Sequence, residues 1–239
     1  MPTFHCFDPH LKPDACSWTL PNEESHHLVK VLRAKRGDTV KVLNGLGLVA
    51  WGTMLDADAK NAAIQIEGQS DSPIPAPQVC LAVCIPKPKT IETVVRQATE
   101  MGVAGIQFLG SERSEVPKAF TESPKKLEKL YKIAQEACKQ SENPFLPTIQ
   151  MGKPLAGWLD GFSMGGVHWV AHPSRKNPSN FPPAEAKQPQ KWVLIGAEGG
   201  LTDAEFTLAQ SKGFIPVNLG RTVLRVETAC VAACAKVAG

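Results

Sequence analysis

Three glycines surround a single carboxylate in the stretch WVLIGAEGGLTDAEF, where an apolar run ends and a helix is predicted to begin. The spacing of Gly196, Gly199 and Gly200 matches neither a dinucleotide-binding fingerprint nor a Walker loop, which ends in Gly-Lys-Ser or Gly-Lys-Thr. Glu198 also argues against a phosphate ligand, because a carboxylate inside an anion-binding loop repels it. Glycines let backbone N–H and C=O groups approach a ligand closely. The loop therefore predicts a site for a neutral or cationic ligand with a flat base and hydroxyl groups, and a tight turn without a ligand is the alternative.

A second candidate stretch, NLGRTVLRVETACVAACAKV, places two arginines in a short turn between a predicted strand and a helix rich in small residues. The predicted strand ends at Leu219 and Gly220, and the turn that follows carries Arg221 and Arg225. Arg225 therefore brings a positive charge to the neighbourhood of the glycine loop. The alternative role for this arginine is an ion pair with Glu227 or Glu198.

The elements that must position these two stretches alternate between strands and helices. The runs VCLAVCI, AGIQFLG, GVHWVAH, KWVLIGA and FIPVNLG predict strands, and amphipathic segments between them predict helices. This order indicates an α/β fold with a mostly parallel sheet and helices on both faces. Ligands bind such sheets beyond the carboxyl ends of the strands, so the informative loops follow WVAH, VLIG and VNLG. Thr202 and Glu205 form a capping box that predicts a helix start directly after the glycine loop.

A proline-dense segment, QSDSPIPAPQ, separates this region from a different pattern upstream. Regular structure is incompatible with three prolines in five residues, so residues 69–78 form a predicted linker or domain boundary. The runs TVKVLNG, LVAWGTML and AAIQIEG indicate short strands, and one helix is predicted over residues 23–34 with Asn22 as its cap. We therefore predict two domains, a small β-barrel-like domain over residues 1–72 and the parallel-sheet domain over residues 73–239.

Charge is distributed unevenly along the 239 residues, whose net charge is +3. Residues 1–72 contain 7 basic and 9 acidic side chains, so their net charge is −2. Four of these cations nevertheless cluster in one short segment, as Lys30, Arg33, Lys35 and Arg36. A cluster of this kind can follow a phosphate backbone, and the alternative is a solvated helix face.

The seven cysteines are interpreted as small buried apolar residues, because their number is odd and their spacing is not that of a zinc knuckle. They are Cys6, Cys16, Cys80, Cys84, Cys138, Cys230 and Cys234. No signal peptide is visible, and the longest clean apolar run, VCLAVCI, is too short to span a bilayer. We therefore expect a cytoplasmic protein that binds no metal.

Four stretches carry a resemblance to a known family. IGAEGGLTDAE, followed about twenty residues later by LGRTVLRVETA, resembles the C-terminal signature of the ribosomal RNA small-subunit methyltransferase E family of the SPOUT superfamily. HHLVKVLRAKRGDTVKV resembles the family's N-terminal motif, and VVRQATEMGVAGIQFLGSERS resembles its first helix–strand unit. AQEACKQSENPFLPTI resembles the next helix and its exit. The resemblance covers nearly the whole chain in the expected order.

The resemblance implies a PUA-like RNA-binding domain followed by a SPOUT-type parallel sheet tied in a trefoil knot, in a homodimer. It implies transfer of a methyl group from S-adenosylmethionine to N3 of a uridine in 16S ribosomal RNA of the small subunit. The basic cluster of the first domain would contact the RNA. The residues implied to hold the cofactor are Ala171, His172, Ile195, Gly196, Ala197, Glu198, Gly199, Gly200, Leu219, Gly220, Val223, Leu224 and Arg225.

Methyl transfer from a sulfonium is an in-line displacement, so the protein mainly aligns the sulfur, the methyl group and the acceptor nitrogen. Uridine N3 must also lose a proton, and a cation beside it stabilises the anionic base. Arg225 is the predicted cation. Arg113, in the segment SERS, is the second candidate and is expected on the RNA side.

The sequence departs from the family pattern mostly where the family has arginine. Thr3, Thr90, Asn143 and Thr222 stand in place of arginines, whereas the cofactor loop changes chiefly at Ala197, where the family has proline. Two alternatives are therefore open. One is a catalytically weak or inactive RNA-binding or ribosome-assembly protein that keeps the fold, and the other is a methyltransferase for a different RNA nucleotide.

Overall fold

The computed structural model describes residues 3–114, 123–163, 166–173 and 190–238. The chain divides into two compact units, each with its own sheet and its own hydrophobic core. The first unit comprises Met1–Ile74 and Gln135–Leu146, and the second comprises Pro75–Ala134 and Pro147–Gly239.

A five-stranded sheet forms the first unit. Its strands are β1 (Thr3–Phe7), β2 (Ser17–Thr19), β3 (Thr39–Leu43), β4 (Leu48–Asp56) and β5 (Ala63–Asp71). They are arranged in the order β1-β3-β4-β5-β2, with β1 and β3 parallel and the other neighbours antiparallel. Successive side chains of a strand point to opposite faces, so residues such as Val40, Val42 and Ile64 fill one core. The three strands predicted in this region are confirmed.

The helix of the first unit begins one residue earlier than predicted. Pro21 is the N-cap and makes no side-chain capping bond, while Asn22 is already the first residue of α1 (Asn22–His26). The proline ring fixes φ near the helical value, so Pro21 sets the entry into the helix. Its carbonyl accepts the N–H group of Ser25 at 2.8 Å. The predicted capping role of Asn22 is therefore wrong.

The same helix also ends earlier than the predicted residue 34. After His26 it continues as a π-helical turn over His27–Val31, and the chain then turns so that Ala34 is buried in the core. The N–H group of Ala34 returns to the carbonyl of Leu28 at 3.0 Å, and Arg33 lies between them in the left-handed region with φ of 60°. The helix therefore ends before a left-handed turn at Arg33, after which Ala34 enters the core.

A parallel six-stranded sheet forms the second unit. Its strands are β6 (Gln78–Cys84), β7 (Gly105–Gly110), β8 (Thr148–Pro154), β9 (His168–Ala171), β10 (Gln190–Ile195) and β11 (Phe214–Val217). Each neighbouring pair in the order β11-β9-β10-β6-β7-β8 is parallel. The helices that follow these strands are α2 (Pro88–Glu100), α3 (Pro124–Ser141), α4 (Leu155–Asp160), α5 (Asp203–Ser211) and α6 (Val226–Ala238). The predicted α/β fold with a mostly parallel sheet is confirmed.

Six of the seven cysteines are buried, as predicted, whereas Cys16 is exposed and the prediction is wrong for it. Burial raises the pKa of the Cys80 and Cys84 thiols to about 12. These thiols therefore stay protonated at neutral pH and behave as apolar residues. Within the described ranges, no three His, Cys, Asp or Glu side chains are grouped to hold a metal ion. The helices in those ranges include none that is long and apolar enough to cross a membrane.

Candidate functional site

Three adjacent strands of the second unit end at the same edge of the sheet. β10 and β11 both pair in parallel with β9, with Val193 opposite Trp169 and Pro216 opposite Val170. Because parallel strands in register end together, the loops after β9, β10 and β11 meet there. They line a cavity of about 680 Å³, which is a size typical of small-molecule sites.

The structure brings every predicted cofactor residue into this one cavity. The lining includes Ala171, His172, Ile195, Gly196, Ala197, Glu198, Gly199, Gly200, Leu219, Gly220, Val223, Leu224 and Arg225, together with Arg113. Sequence reasoning did not assign Lys87 and Thr90, which line the cavity from the N-cap and the first turn of α2. The signal that would have found them is the position of β6, which pairs directly with β10.

The glycine loop, residues 196–201, is a tight turn whose shape requires glycine at two positions. Gly200 has φ of 72°, and its N–H group donates to the carbonyl of Ala197 at 2.8 Å. A Cβ atom on Gly196 would lie 2.8 Å from the carbonyl carbon of Gly200, which is too close for any side chain. The two interpretations of this loop, a tight turn and a binding surface, are therefore both compatible with its geometry.

Glu198 connects the glycine loop to the start of α2. Its Oε1 accepts the backbone N–H group of Lys87 at 3.0 Å. Lys87 is the N-cap of this 13-residue helix and makes no side-chain capping bond of its own. A carboxylate at a helix N-terminus is favoured by the helix dipole. Glu198, the single acid among the glycines, thus contacts the loop that follows β6, the strand that pairs with β10.

Arg113 donates hydrogen bonds to carbonyl groups of the glycine loop. Its Nη1 donates to the carbonyl of Gly199 at 2.6 Å and to the carbonyl of Leu201 at 3.2 Å. The aliphatic part of its side chain occupies the space beside Gly199, where a Cβ atom would approach Arg113 Cδ within 3.2 Å. The second predicted catalytic arginine is therefore engaged with the loop backbone.

The predicted capping box is present at the start of α5, and its Glu205 also accepts a hydrogen bond from another loop. Thr202 accepts the N–H group of Glu205, and the Glu205 carboxylate accepts the N–H group of Thr202 at 2.9 Å. The other oxygen of Glu205 accepts the N–H group of Glu112 at 2.8 Å. Since Glu205 is buried, these bonds are shielded from water. They join the end of the glycine loop to the residue beside Arg113.

The arginine turn, residues 221–225, carries its two cations into solvent. Arg225 is exposed and lines the cavity, and its carbonyl accepts the N–H group of Ala229 in the first turn of α6. Among the described residues, no carboxylate lies within ion-pair distance of its guanidinium. The predicted ion pairs of Arg225 with Glu227 or Glu198 are therefore not formed.

His172 contributes a polar atom without a partner. Its Nδ1 is buried, and nothing in the described part of the chain hydrogen-bonds to it. Its ring packs on Phe206, with ring centroids 4.3 Å apart. His172 therefore lines the cavity through atoms other than Nδ1, which is closed off from solvent.

The predicted RNA contacts lie in the first unit, on and after the π-helical turn. Lys30, Arg33, Lys35 and Arg36 are all exposed. The backbone N–H group of Lys35 donates to Asp38 at 2.7 Å, which fixes the turn after the helix. All four side chains are therefore accessible to a partner in solution.

Two family models match the chain. One is described as an RNA methyltransferase domain and matches residues 72–238, and the other is described as an RNA methyltransferase PUA domain and matches residues 20–67. The first covers more than half of the chain. Its boundaries enclose the six-stranded sheet and the whole cavity.

Similar proteins agree with these models. Ribosomal RNA small subunit methyltransferase E from Synechocystis sp. is 35% identical over 92% of this chain and 72% of its own length. The protein of the same name from Buchnera aphidicola is 28% identical over 90% of this chain and 84% of its own length. A Legionella pneumophila structure, solved with the cofactor SAM bound, is 26% identical with a TM-score of 0.86, and the match covers 98% of this chain and 96% of that one. The chain therefore belongs to the ribosomal RNA small subunit methyltransferase E family of RNA methyltransferases.

Proposed function

We propose that this protein is an active enzyme that transfers the methyl group of S-adenosylmethionine to N3 of a uridine in 16S ribosomal RNA of the small subunit. The observation that carries the proposal is the meeting of three strand-end loops around one cavity, beside an arginine with no ionic partner among the described residues. This reaction needs backbone groups that can bind a nucleoside, and it needs a cationic side chain beside them. The relatives from Synechocystis and Buchnera are named for this class of activity.

The groups that line the cavity suit S-adenosylmethionine. The cofactor, when bound, supplies a methyl group that is already activated on a sulfonium sulfur. Backbone groups of residues 196–200 and 219–225 offer donors and acceptors for its adenosine and methionine parts. Glu198 places a carboxylate in the lining, which is compatible with a positively charged ligand.

We assign charge stabilisation in the transition state to Arg225. Uridine N3 would release its proton to water and bond to the methyl group, while the bond from the methyl group to sulfur breaks and the cofactor leaves as a neutral thioether. A guanidinium beside the base stabilises the negative charge that develops on it. Arg225 is exposed at the cavity, so it can reach an incoming base. Arg113 is the weaker candidate for this role, because its guanidinium already donates to two carbonyls of the glycine loop.

The family also suggests how the rest of the chain contributes. We propose a PUA-like RNA-binding domain over residues 1–72 and a SPOUT domain over residues 73–239, with a trefoil knot and a homodimer as in the family. The exposed cations of the first unit would contact phosphates of the RNA. A ribosomal RNA target implies that the enzyme works in the cytoplasm. Gel filtration with light scattering tests the dimer independently of activity.

Methylation of purified small ribosomal subunits with labelled S-adenosylmethionine, followed by mapping of the modified base, tests the activity. We expect label in 16S ribosomal RNA at N3 of a uridine. Label on another nucleotide would show that the target is different. Calorimetric heat with S-adenosylmethionine but no label in RNA would favour an RNA-binding or ribosome-assembly protein that keeps the site.

A further inference from the structure

Glu205 is a buried acid of the second unit that has no part in the proposed reaction. It lies in the first turn of α5 and is only 8% exposed. It is not among the described residues that line the cavity. Burial of a carboxylate is costly unless hydrogen bonds replace the water that it loses. The partners of Glu205 therefore indicate what its burial achieves.

The two oxygens of Glu205 bind two different parts of the chain. Oε2 accepts the backbone N–H group of Thr202 at 2.9 Å and lies 3.3 Å from the Thr202 hydroxyl. Oε1 accepts the backbone N–H group of Glu112 at 2.8 Å, across 93 residues of sequence. The contact with Thr202 belongs to the capping box that starts the helix. The contact with Glu112 has no part in capping, so it requires another explanation.

Glu112 lies in a tight turn that follows β7 and that also contains Arg113. The N–H group of Ser114 donates to the carbonyl of Ser111 at 3.1 Å, and the two serine hydroxyls lie 3.0 Å apart. The serines thus close the turn on itself. Glu205 attaches this turn to the start of α5 at the residue directly before Arg113.

The attachment matters because Arg113 is exposed. A long exposed side chain has many rotamers, and holding it in one of them costs conformational entropy. The guanidinium nevertheless donates to the Gly199 carbonyl at 2.6 Å and to the Leu201 carbonyl at 3.2 Å. Fixing the backbone one residue earlier sets the direction in which the arginine side chain leaves the chain, which lowers that cost. Glu205 and Arg113 thus connect one turn both to the start of α5 and to the glycine loop.

We propose that Glu205 is a positioning residue for cofactor binding, which acts through Arg113 on the carbonyl groups of the glycine loop. The inference rests on the proposed function, because it takes S-adenosylmethionine as the ligand of the cavity. The competing role for Glu205 is only to start α5, and that role needs the contact with Thr202 but not the contact with Glu112.

Glu205→Asp shortens the side chain and keeps its charge. The charge still favours the start of a helix, but a side chain one methylene shorter no longer spans from Thr202 to Glu112. We expect the affinity for S-adenosylmethionine, measured by calorimetry, to fall about tenfold as the bonds of Arg113 to the loop weaken. An affinity equal to that of the unchanged protein would overturn the inference.

Glu205→Gln makes the complementary change, because it keeps the length of the side chain and removes the charge. The amide oxygen can accept the N–H group of Glu112, and the NH₂ group can donate to the Thr202 hydroxyl. We expect the affinity for S-adenosylmethionine to stay within about twofold of the unchanged protein, since only a charge at the helix start is lost. A loss as large as that of Glu205→Asp would show that charge matters rather than reach, and would contradict the positioning role.

Thr202→Ala is the matched control for the stability of α5. It removes the hydroxyl of the capping box but leaves Glu205 able to accept the N–H group of Glu112. We expect a lower Tm, because an N-cap side chain is lost, and an unchanged affinity for S-adenosylmethionine. If this variant lost as much affinity as Glu205→Asp, helix stability alone would explain both results and the inference would fail.

A double variant that combines Arg113→Met with Glu205→Asp tests whether the two residues act together. If Glu205 acts through Arg113, adding Glu205→Asp to Arg113→Met should weaken S-adenosylmethionine binding by less than about twofold. Independent effects would instead multiply to a loss of about 100-fold, which would overturn the inference. If the unchanged protein gives no heat with S-adenosylmethionine, the proposed function fails instead.

Discussion

The glycine loop and the arginine turn border the same cavity but are held in very different ways. Side-chain hydrogen bonds to other loops fix the glycine loop: Arg113 donates to two of its carbonyls, and its own Glu198 accepts the backbone N–H group of Lys87. The arginine turn has mostly exposed residues, including Val223 at 81%. Both arginines of this turn are without an ion-pair partner in the described part of the chain.

This difference suggests a division of labour between the two regions. A loop with several fixed backbone contacts loses little freedom when it binds a ligand, so it can position the cofactor. A segment with few buried contacts opens at low free-energy cost and can adapt to a second substrate. We therefore expect changes in the glycine loop to affect mainly cofactor binding, and changes in the arginine turn to affect mainly the methyl transfer.

Gly196→Ala should have the largest effect on the cofactor side. The added Cβ would lie 2.8 Å from the backbone of Gly200 and force the loop to move. A displacement of about 1 Å in an active site can lower the reaction rate about 100-fold, so we expect at least that loss of kcat/KM for S-adenosylmethionine, with weaker cofactor binding by calorimetry. Gly157→Ala, at a helical position with open space around it, is the control and should bind normally.

Arg225→Ala should separate chemistry from cofactor binding. We expect kcat for RNA methylation to fall by about 100-fold or more, since one donor to the developing charge is removed. Affinity for S-adenosylmethionine should change far less. Near-normal turnover with intact cofactor binding would show that Arg225 has no catalytic role. It would also contradict the proposed separation of cofactor binding from methyl transfer.

Arg113→Met tests which side of the cavity this arginine serves. The variant keeps most of the aliphatic contact with Gly199 but loses the hydrogen bonds to the Gly199 and Leu201 carbonyls. Bonds of this charged kind are worth about tenfold or more in affinity. We expect the KM for S-adenosylmethionine to rise by that factor. A rise in the KM for RNA alone would show instead that Arg113 contacts the RNA, as predicted from the sequence.

Glu198→Gln should have the smallest effect. The amide oxygen can still accept the N–H group of Lys87, so only the charge at the start of α2 is lost. Because Glu198 is exposed, we expect cofactor affinity to fall by only about two- to fivefold. A loss comparable to that of Gly196→Ala would mean that the carboxylate itself binds the ligand.

Local patterns in the sequence predicted much of this site. Alternating apolar runs identified the strands, and the rule that ligands bind beyond parallel strand ends selected the three loops that meet at the cavity. The capping box of Thr202 and Glu205 was predicted because its partners are only three residues apart. The cofactor residues themselves came from the family resemblance rather than from these patterns.

Contacts between distant residues could not be predicted in this way. Arg113 and Gly199 are 86 residues apart, and Lys87 and Glu198 are 111 apart. The periodicity of apolar residues cannot predict such pairs, because the two residues meet only once the sheet has placed β6, β7 and β10 side by side. The early end of α1 was missed for a similar reason, since the packing of Ala34 into the core is a tertiary contact that helix propensity does not report.

A crystal structure of the protein with S-adenosylmethionine tests the central claim most directly. We expect electron density for the cofactor between the loops that follow β9, β10 and β11, with the glycine loop unchanged. Cofactor density elsewhere in the molecule, or an empty cavity at saturating concentration, would contradict the account.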